Sequence, residues 1–213
     1  MLNIIARAAY GRLIAPLGQW LAKVGVTADA ITVVGTAGAV GAALGLFTQG
    51  YFLAGTFVIW FCVMLDTVDG AVARARGTTS KFGALLDSVS DRVADAAVFA
   101  ALAWWFAQRG PEHSQPLLVA SLLCLVFGAV TSYVKARAEG LGLTCNVGIA
   151  ERAERLIIVL VGTGLHGLGV PYVLAIALWV LVGLTLITVG QRLVEVHRQS
   201  TTIQPTTASA PSA

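Results

Sequence analysis

Asp66, Asp69, Asp87 and Asp91 stand in two long apolar stretches, where a charged side chain costs several kcal/mol unless it is paired, hydrated or metal-bound. Asp66 and Asp69 are three residues apart and Asp87 and Asp91 four apart, so each pair occupies one face of a helix. A polar turn through Gly77 to Ser80 makes the two helices antiparallel neighbours and lets four carboxylates converge. Like charges crowded in this way repel unless divalent cations lie among them, and hard oxygen ligands favour Mg²⁺, Mn²⁺ or Ca²⁺ over zinc. A pair of such ions suits displacement at phosphorus. Gly70, Ala73 and Gly83 remove bulk beside the acids and leave room for a ligand against the backbone. Two other readings use the same acids: buried ion pairs with Arg74, Arg76 and Arg92, or a pathway for ions. A pathway calls for polar groups through the whole membrane thickness, whereas the outer halves of these two stretches are apolar.

The elements that carry the acids are set by composition. Of 213 residues, 57% are hydrophobic and 12% charged, which excludes a water-soluble globular domain of this length. Six apolar segments, at 29–48, 51–75, 82–107, 116–137, 153–170 and 171–192, are each close to the twenty or so residues that span a bilayer. They are continuous rather than alternating, so the expected fold is an all-α integral membrane bundle of six transmembrane helices. Fifteen residues, Tyr51 to Leu65, precede Asp66 in its stretch, about 22 Å of a hydrocarbon core about 30 Å thick, so the acids lie just below one surface. With the N-terminus inside, all but Arg109 of the fourteen Lys and Arg residues fall at the cytoplasmic side, as the positive-inside bias requires. The net charge of +3 then reflects topology and anionic lipid rather than nucleic acid. Before the spans, residues 1–26 read as an amphipathic juxtamembrane helix, with Ile4, Ile5, Leu13 and Leu17 at helical spacing between Arg7, Arg12 and Lys23. Residues 27–198 form the membrane domain, and the Ser-, Thr- and Pro-rich 199–213 read as a disordered tail. Cys62, Cys124 and Cys145 follow no metal or disulfide spacing. His113, His166 and His197 are expected to be solvated.

Asp66-Thr67-Val68-Asp69-Gly70-Ala71-Val72-Ala73-Arg74, followed at fixed spacing by Gly83, Asp87 and Asp91, resembles the complete eight-position signature of the CDP-alcohol phosphotransferase family. The likeness extends over about residues 27–195. It implies a six-span enzyme with a cytoplasmic active site, which moves a phosphatidyl or similar group from a CDP-linked lipid to an alcohol and releases CMP. It implies further that Asp66, Asp69 and Asp87 bind metal, with Asp66 and Asp87 bridging two Mg²⁺ ions for which Mn²⁺ can substitute. Asp91 would bind the second ion and act as general base. Gly70 and Arg74 would contact the CDP unit. Many relatives begin the first span with Pro-Asn-x-x-Thr; here Ala28-Asp29-Ala30-Ile31-Thr32 keeps the Thr and replaces Asn by Asp, and Asp29, Ala30, Ile31 and Thr32 are expected at the cytidine end. Ser80 is a further expected nucleotide contact, with a plain turn role equally open.

The signature identifies the donor and leaves the alcohol open. Lys135, Arg137, Arg152, Arg155 and Arg192 gather on the membrane face that carries the aspartates, and a basic pocket beside such a centre favours an anionic, phosphorylated acceptor. Positive-inside topology alone also supplies cytoplasmic basic residues. The stretches Ser132 to Glu139, Glu151 to Leu156 and Gln191 to Leu193 resemble actinobacterial family members that join CDP-diacylglycerol to 1L-myo-inositol 1-phosphate. That likeness implies that Lys135, Arg155 and Arg192 hold the acceptor phosphate, with Arg137 and Arg152 as lesser contributors. Glycerol 3-phosphate is the alternative acceptor. The family also implies a homodimer in the plasma membrane, in contact with membrane lipids.

Overall fold

The computed structural model describes residues 16, 18–77, 80–108 and 114–202, without the side chains of Asp66, Thr67, Arg76 and Thr202. Six long helices follow one another: α1 Ala28–Leu46, α2 Phe52–Arg76, α3 Lys81–Gln108, α4 Gln115–Gly140, α5 Arg152–Gly167 and α6 Val173–Thr202. No strand occurs among the described residues. Helix ends coincide with capping residues. The Thr27 hydroxyl accepts from the Ala30 N–H at the start of α1, and Ser114 does the same for α4 ahead of Pro116, each satisfying a donor that the first turn leaves open. Gly77, at φ 64°, closes α2 with its N–H on the Ala73 and Arg74 carbonyls, the left-handed cap that glycine adopts without penalty.

The helices form a closed ring. α1 packs on α2 and α3, α3 on α4, α4 on α6, α6 on α5, and α5 returns to α2. One end of the ring holds the start of α1, the α2–α3 turn, the α4–α5 loop and the end of α6, where the sequence places its basic residues. Phe47, Ile59, Val98, Leu102, Leu178 and Leu181 are buried at the centre, while Phe57, Trp60, Val126, Ile157, Ile176 and Trp179 are exposed. An apolar exterior of this extent suits lipid rather than water. In lipid, close backbone approach through small residues holds helices together. A Cβ added at Gly162 would sit 2.6 Å from the Ala177 Cβ, and one at Gly167 2.6 Å from the Leu53 amide nitrogen. Buried hydroxyls of Thr131, Thr163, Thr185 and Thr188 each donate to the carbonyl four residues back, so these four donors are met within their own helices.

Four of the six helices, α1, α2, α4 and α6, are long and apolar enough to cross a membrane. α3 carries Lys81, Asp87, Asp91, Arg92 and Asp95, and α5 has 16 residues that open on Arg152, Glu154 and Arg155. The two helices that fall short of the expected spans carry Asp87, Asp91, Asp95, Arg152 and Arg155 of the site. α6 continues to Thr202, into the stretch expected to be a tail; residues 203–213 lie outside the described residues. So do 1–15 and 17 of the expected surface helix, whose described part is helical at 18–24 and sets Gly18 against Ala71 of α2. His166 is not solvated. It lies half-buried in the last turn of α5, its ring 5.1 Å from that of Phe52.

Candidate active site

Three helices build a cleft at the basic end of the ring. Ala28, Asp29 and Thr32 come from α1, Asp69, Gly70 and Ala73 from α2, Ser80 from the turn, and Gly83, Ala84 and Asp87 from α3, around a volume of about 200 Å³. The Thr32 hydroxyl donates to the Asp69 carboxylate, with the Ala28 carbonyl a second acceptor at 3.2 Å. That bond ties α1 to α2 and aims the acid into the cleft. The carboxylates of Asp87 and Asp29 both act on Asp69 by charge. Ser80 accepts from the Gly83 N–H at 2.8 Å and so caps α3 while it lines the cleft. A Cβ at Gly83 would lie 3.3 Å from Asp29 Oδ1, and one at Gly70 3.3 Å from a guanidinium nitrogen of Arg74. Both glycines keep the cleft open, and Arg74 folds over one of them. Ala30 and Ile31 share the turn of α1 without lining the cleft.

Asp29, Asp69 and Asp87 offer hard carboxylate oxygens and face one another in this cleft, a donor set that fits a divalent cation such as Mg²⁺ or Mn²⁺. Among the described residues no three acidic, His or Cys side chains form a ready cage for an ion; the side chain of Asp66, three residues before Asp69, lies outside the described residues. Asp91 stands one turn past Asp87 on α3 and lines a neighbouring pocket with Gly35, Cys62 and Arg152. Its carboxylate meets Arg152 of α5 at 2.8 Å and Arg92 at 3.6 Å. Of the three arginines weighed as ion-pair partners for the acids, Arg92 is thus a distant one, and it also donates to the Ser88 carbonyl at 2.8 Å. The principal partner comes from α5.

The expected acceptor residues divide into separate environments. Arg155 is 3% exposed; it donates to the Ala150 carbonyl at 3.3 Å and to Asp95 Oδ2 at 3.1 Å. It lines a small cavity of about 40 Å³ with Arg92, Asp95, Cys124 and Ser132. Arg92 and Ser132 also line an adjoining open groove of about 830 Å³ that contains Lys135 and Tyr133. Arg155 and Lys135 therefore line adjoining spaces. Arg192 donates to the Val147 carbonyl at 2.9 Å and the Thr131 carbonyl at 2.6 Å, with Glu151 at 3.8 Å, and so clasps the α4–α5 loop. Arg152 is shared between Asp91 and Asp95. Arg137, exposed near the end of α4, lines neither space. Asp95 is the residue that sequence reasoning missed; its signal was the continuation of the Asp87, Asp91 stripe by one further turn.

Residues 25–188 match the sequence profile of the CDP-alcohol phosphatidyltransferase family. The chain is 45% identical over 195 residues to the phosphatidylinositol phosphate synthase of Mycobacterium tuberculosis strain H37Rv, covering 90% of this chain and 89% of that one. It is 45% identical over 216 residues to the protein of the same name from Streptomyces avermitilis, covering 98% and 88%. A crystal structure of the M. tuberculosis enzyme with CDP-DAG bound superposes with a TM-score of 0.83 at 45% identity, over 87% of this chain and 94% of that one. This chain belongs to the CDP-alcohol phosphatidyltransferase family, and is a transferase of that class built as an all-helical membrane protein. A second structure of the same mycobacterial enzyme, in complex with manganese and citrate, superposes at a TM-score of 0.82 and 44% identity, over 86% and 88% of the two chains.

Proposed function

We propose that this enzyme transfers the phosphatidyl group of CDP-diacylglycerol to 1L-myo-inositol 1-phosphate, giving phosphatidylinositol phosphate and CMP. The observation that carries the proposal is the placement of two sites at one end of the ring. The cleft of Asp29, Thr32, Asp69, Gly70, Ser80 and Asp87 suits a metal-bound nucleotide diphosphate, and the buried Arg155 beside it suits a second phosphate. All six helices span the plasma membrane in this reading, with the N-terminus and the active site cytoplasmic, and the protein is a homodimer embedded in membrane lipid.

Asp66, Asp69, Asp87 and Asp91 would hold a pair of Mg²⁺ ions, or Mn²⁺ in their place. Such ions neutralise the diphosphate and stabilise CMP as it leaves. Thr32 keeps Asp69 turned into the cleft. Gly70 lets the diphosphate approach the α2 backbone, and Arg74 offers its fork to a phosphate oxygen. Asp29, Thr32 and Ser80 face the cytidine end. Asp91 accepts the proton of the acceptor hydroxyl as its oxygen attacks the β-phosphorus and the bond from that phosphorus to the CMP oxygen breaks. Arg155, Lys135 and Arg192 hold the phosphate of the acceptor, with Arg137 a lesser contributor, and Arg152 steadies Asp91.

The test is CMP release by purified protein with CDP-diacylglycerol and Mg²⁺, comparing inositol 1-phosphate, free inositol and glycerol 3-phosphate, each with and without EDTA. Release selective for inositol 1-phosphate and stopped by EDTA is expected. Preference for glycerol 3-phosphate would reassign the acceptor, and release in metal-free buffer would remove the metal-dependent mechanism.

A further inference from the structure

Asp95 lies outside the eight-position signature, one turn beyond Asp91 on α3. Its carboxylate meets two arginines of α5, Arg155 at 3.1 Å and Arg152 at 3.5 Å, and Arg152 reaches on to Asp91 at 2.8 Å. Two acids spaced i,i+4 on α3 and two arginines spaced i,i+3 on α5 thus alternate in charge. The row begins at the proposed base and ends at the cavity lined by Arg155. A buried guanidinium needs a counterion. The Arg155 Nε has no hydrogen-bond partner among the described residues, so its terminal nitrogens take their direction from Asp95 and from the Ala150 carbonyl.

We infer that Asp95 is a positioning residue for the acceptor. It orients Arg155 toward the acceptor phosphate, and through the shared Arg152 it holds that arginine in register with Asp91. This rests on the function proposed above. Charge alone argues the opposite outcome: Asp95 lines the same cavity, and a carboxylate there repels a phosphate, so its removal would tighten acceptor binding. A positioning role makes removal weaken it, and the sign separates the two.

Full-length protein carrying Asp95→Asn is expected to raise the KM for the phosphorylated acceptor about tenfold while the KM for CDP-diacylglycerol changes less than about twofold. Asp95→Glu should recover most of that loss. In an Arg155→Ala background Asp95→Asn should add less than about twofold, because the two residues act as one unit. An acceptor KM that is unchanged or lowered overturns the inference, as do equal rises for both substrates with a fall in Tm. If Asp95→Asn fails to fold, Asp95→Ser carries the same comparison, since it too removes the carboxylate; a selective rise in acceptor KM supports positioning and none overturns it. Turnover with glycerol 3-phosphate alone would refute the proposed acceptor and leave the Asp95 comparison readable on that substrate. Stabilisation against heat by inorganic phosphate reads the pocket without turnover: it is expected for the wild type and lost in Asp95→Asn, and its retention in the variant overturns the inference.

Discussion

The carboxylate of Asp91 has two tasks that one substitution can separate. Asn keeps the shape of the side chain and a hydrogen-bond acceptor for Arg152, and it cannot take up a proton. Asp91→Asn is therefore expected to lower kcat by about a thousandfold while CDP-diacylglycerol binding, measured by equilibrium binding of the lipid, stays within about threefold. Turnover near the wild-type rate would remove Asp91 as the base. At this scale much of the site was legible, because helical spacing alone puts Asp66 with Asp69 and Asp87 with Asp91 on common faces. The Thr32 contact with Asp69 joins residues 37 apart in the chain, and a known pattern, Asp29 to Thr32, marked one side of it. The stripe of Asp87 and Asp91 runs on to Asp95, but spacing could not show its partner Arg155, sixty residues away on another helix.

Elements decide which of the basic residues can act. The α4–α5 loop turns back into the bundle: the Ala150 N–H donates to the Thr188 hydroxyl at 3.0 Å, and Val147 receives Arg192 at 2.9 Å. Gly148 makes that turn with φ at 139°, and a Cβ there would stand 2.5 Å from Thr188 Cγ2. Gly148→Ala is thus strained on both counts and should cost about 1–3 kcal/mol. Thermal unfolding in detergent should show a lowered Tm, together with a raised acceptor KM because Arg192 loses its carbonyl partner; an unchanged Tm and KM would mean that the loop does not hold the arginine. Hydropathy identified the helices that the loop connects and was silent on the loop. A segment of Gly, Leu, Thr, Cys and Val between two helices has no periodicity to read, and its path depends on the Thr188 hydroxyl as acceptor and on the guanidinium donors of Arg155 on α5 and Arg192 on α6.

For the whole molecule the ring has two unlike ends. The basic and acidic site residues cluster at one, and Phe47, Phe52, Trp105 and His166 pack together at the other. The proposed orientation puts the aromatic end outside. Cys62, Cys124 and Cys145 are buried, so single introduced cysteines report cleanly. A membrane-impermeant maleimide should label Tyr172→Cys on intact cells and Glu139→Cys only after permeabilisation, and the reverse pattern would invert the protein in the membrane. The sequence by itself determined that this chain enters lipid, where its helices run, which acids share a face and which family's donor chemistry they match. Each of those follows from composition, periodicity or fixed spacing along one or two adjoining helices. Only the tertiary structure decided that the helices close into a ring, that Asp91 turns to Arg152 of α5, and that Asp95 meets both Arg152 and Arg155. Those contacts bring together residues remote in the chain, and which basic group meets which acid depends on how the helices pack, information that no local pattern of residues contains.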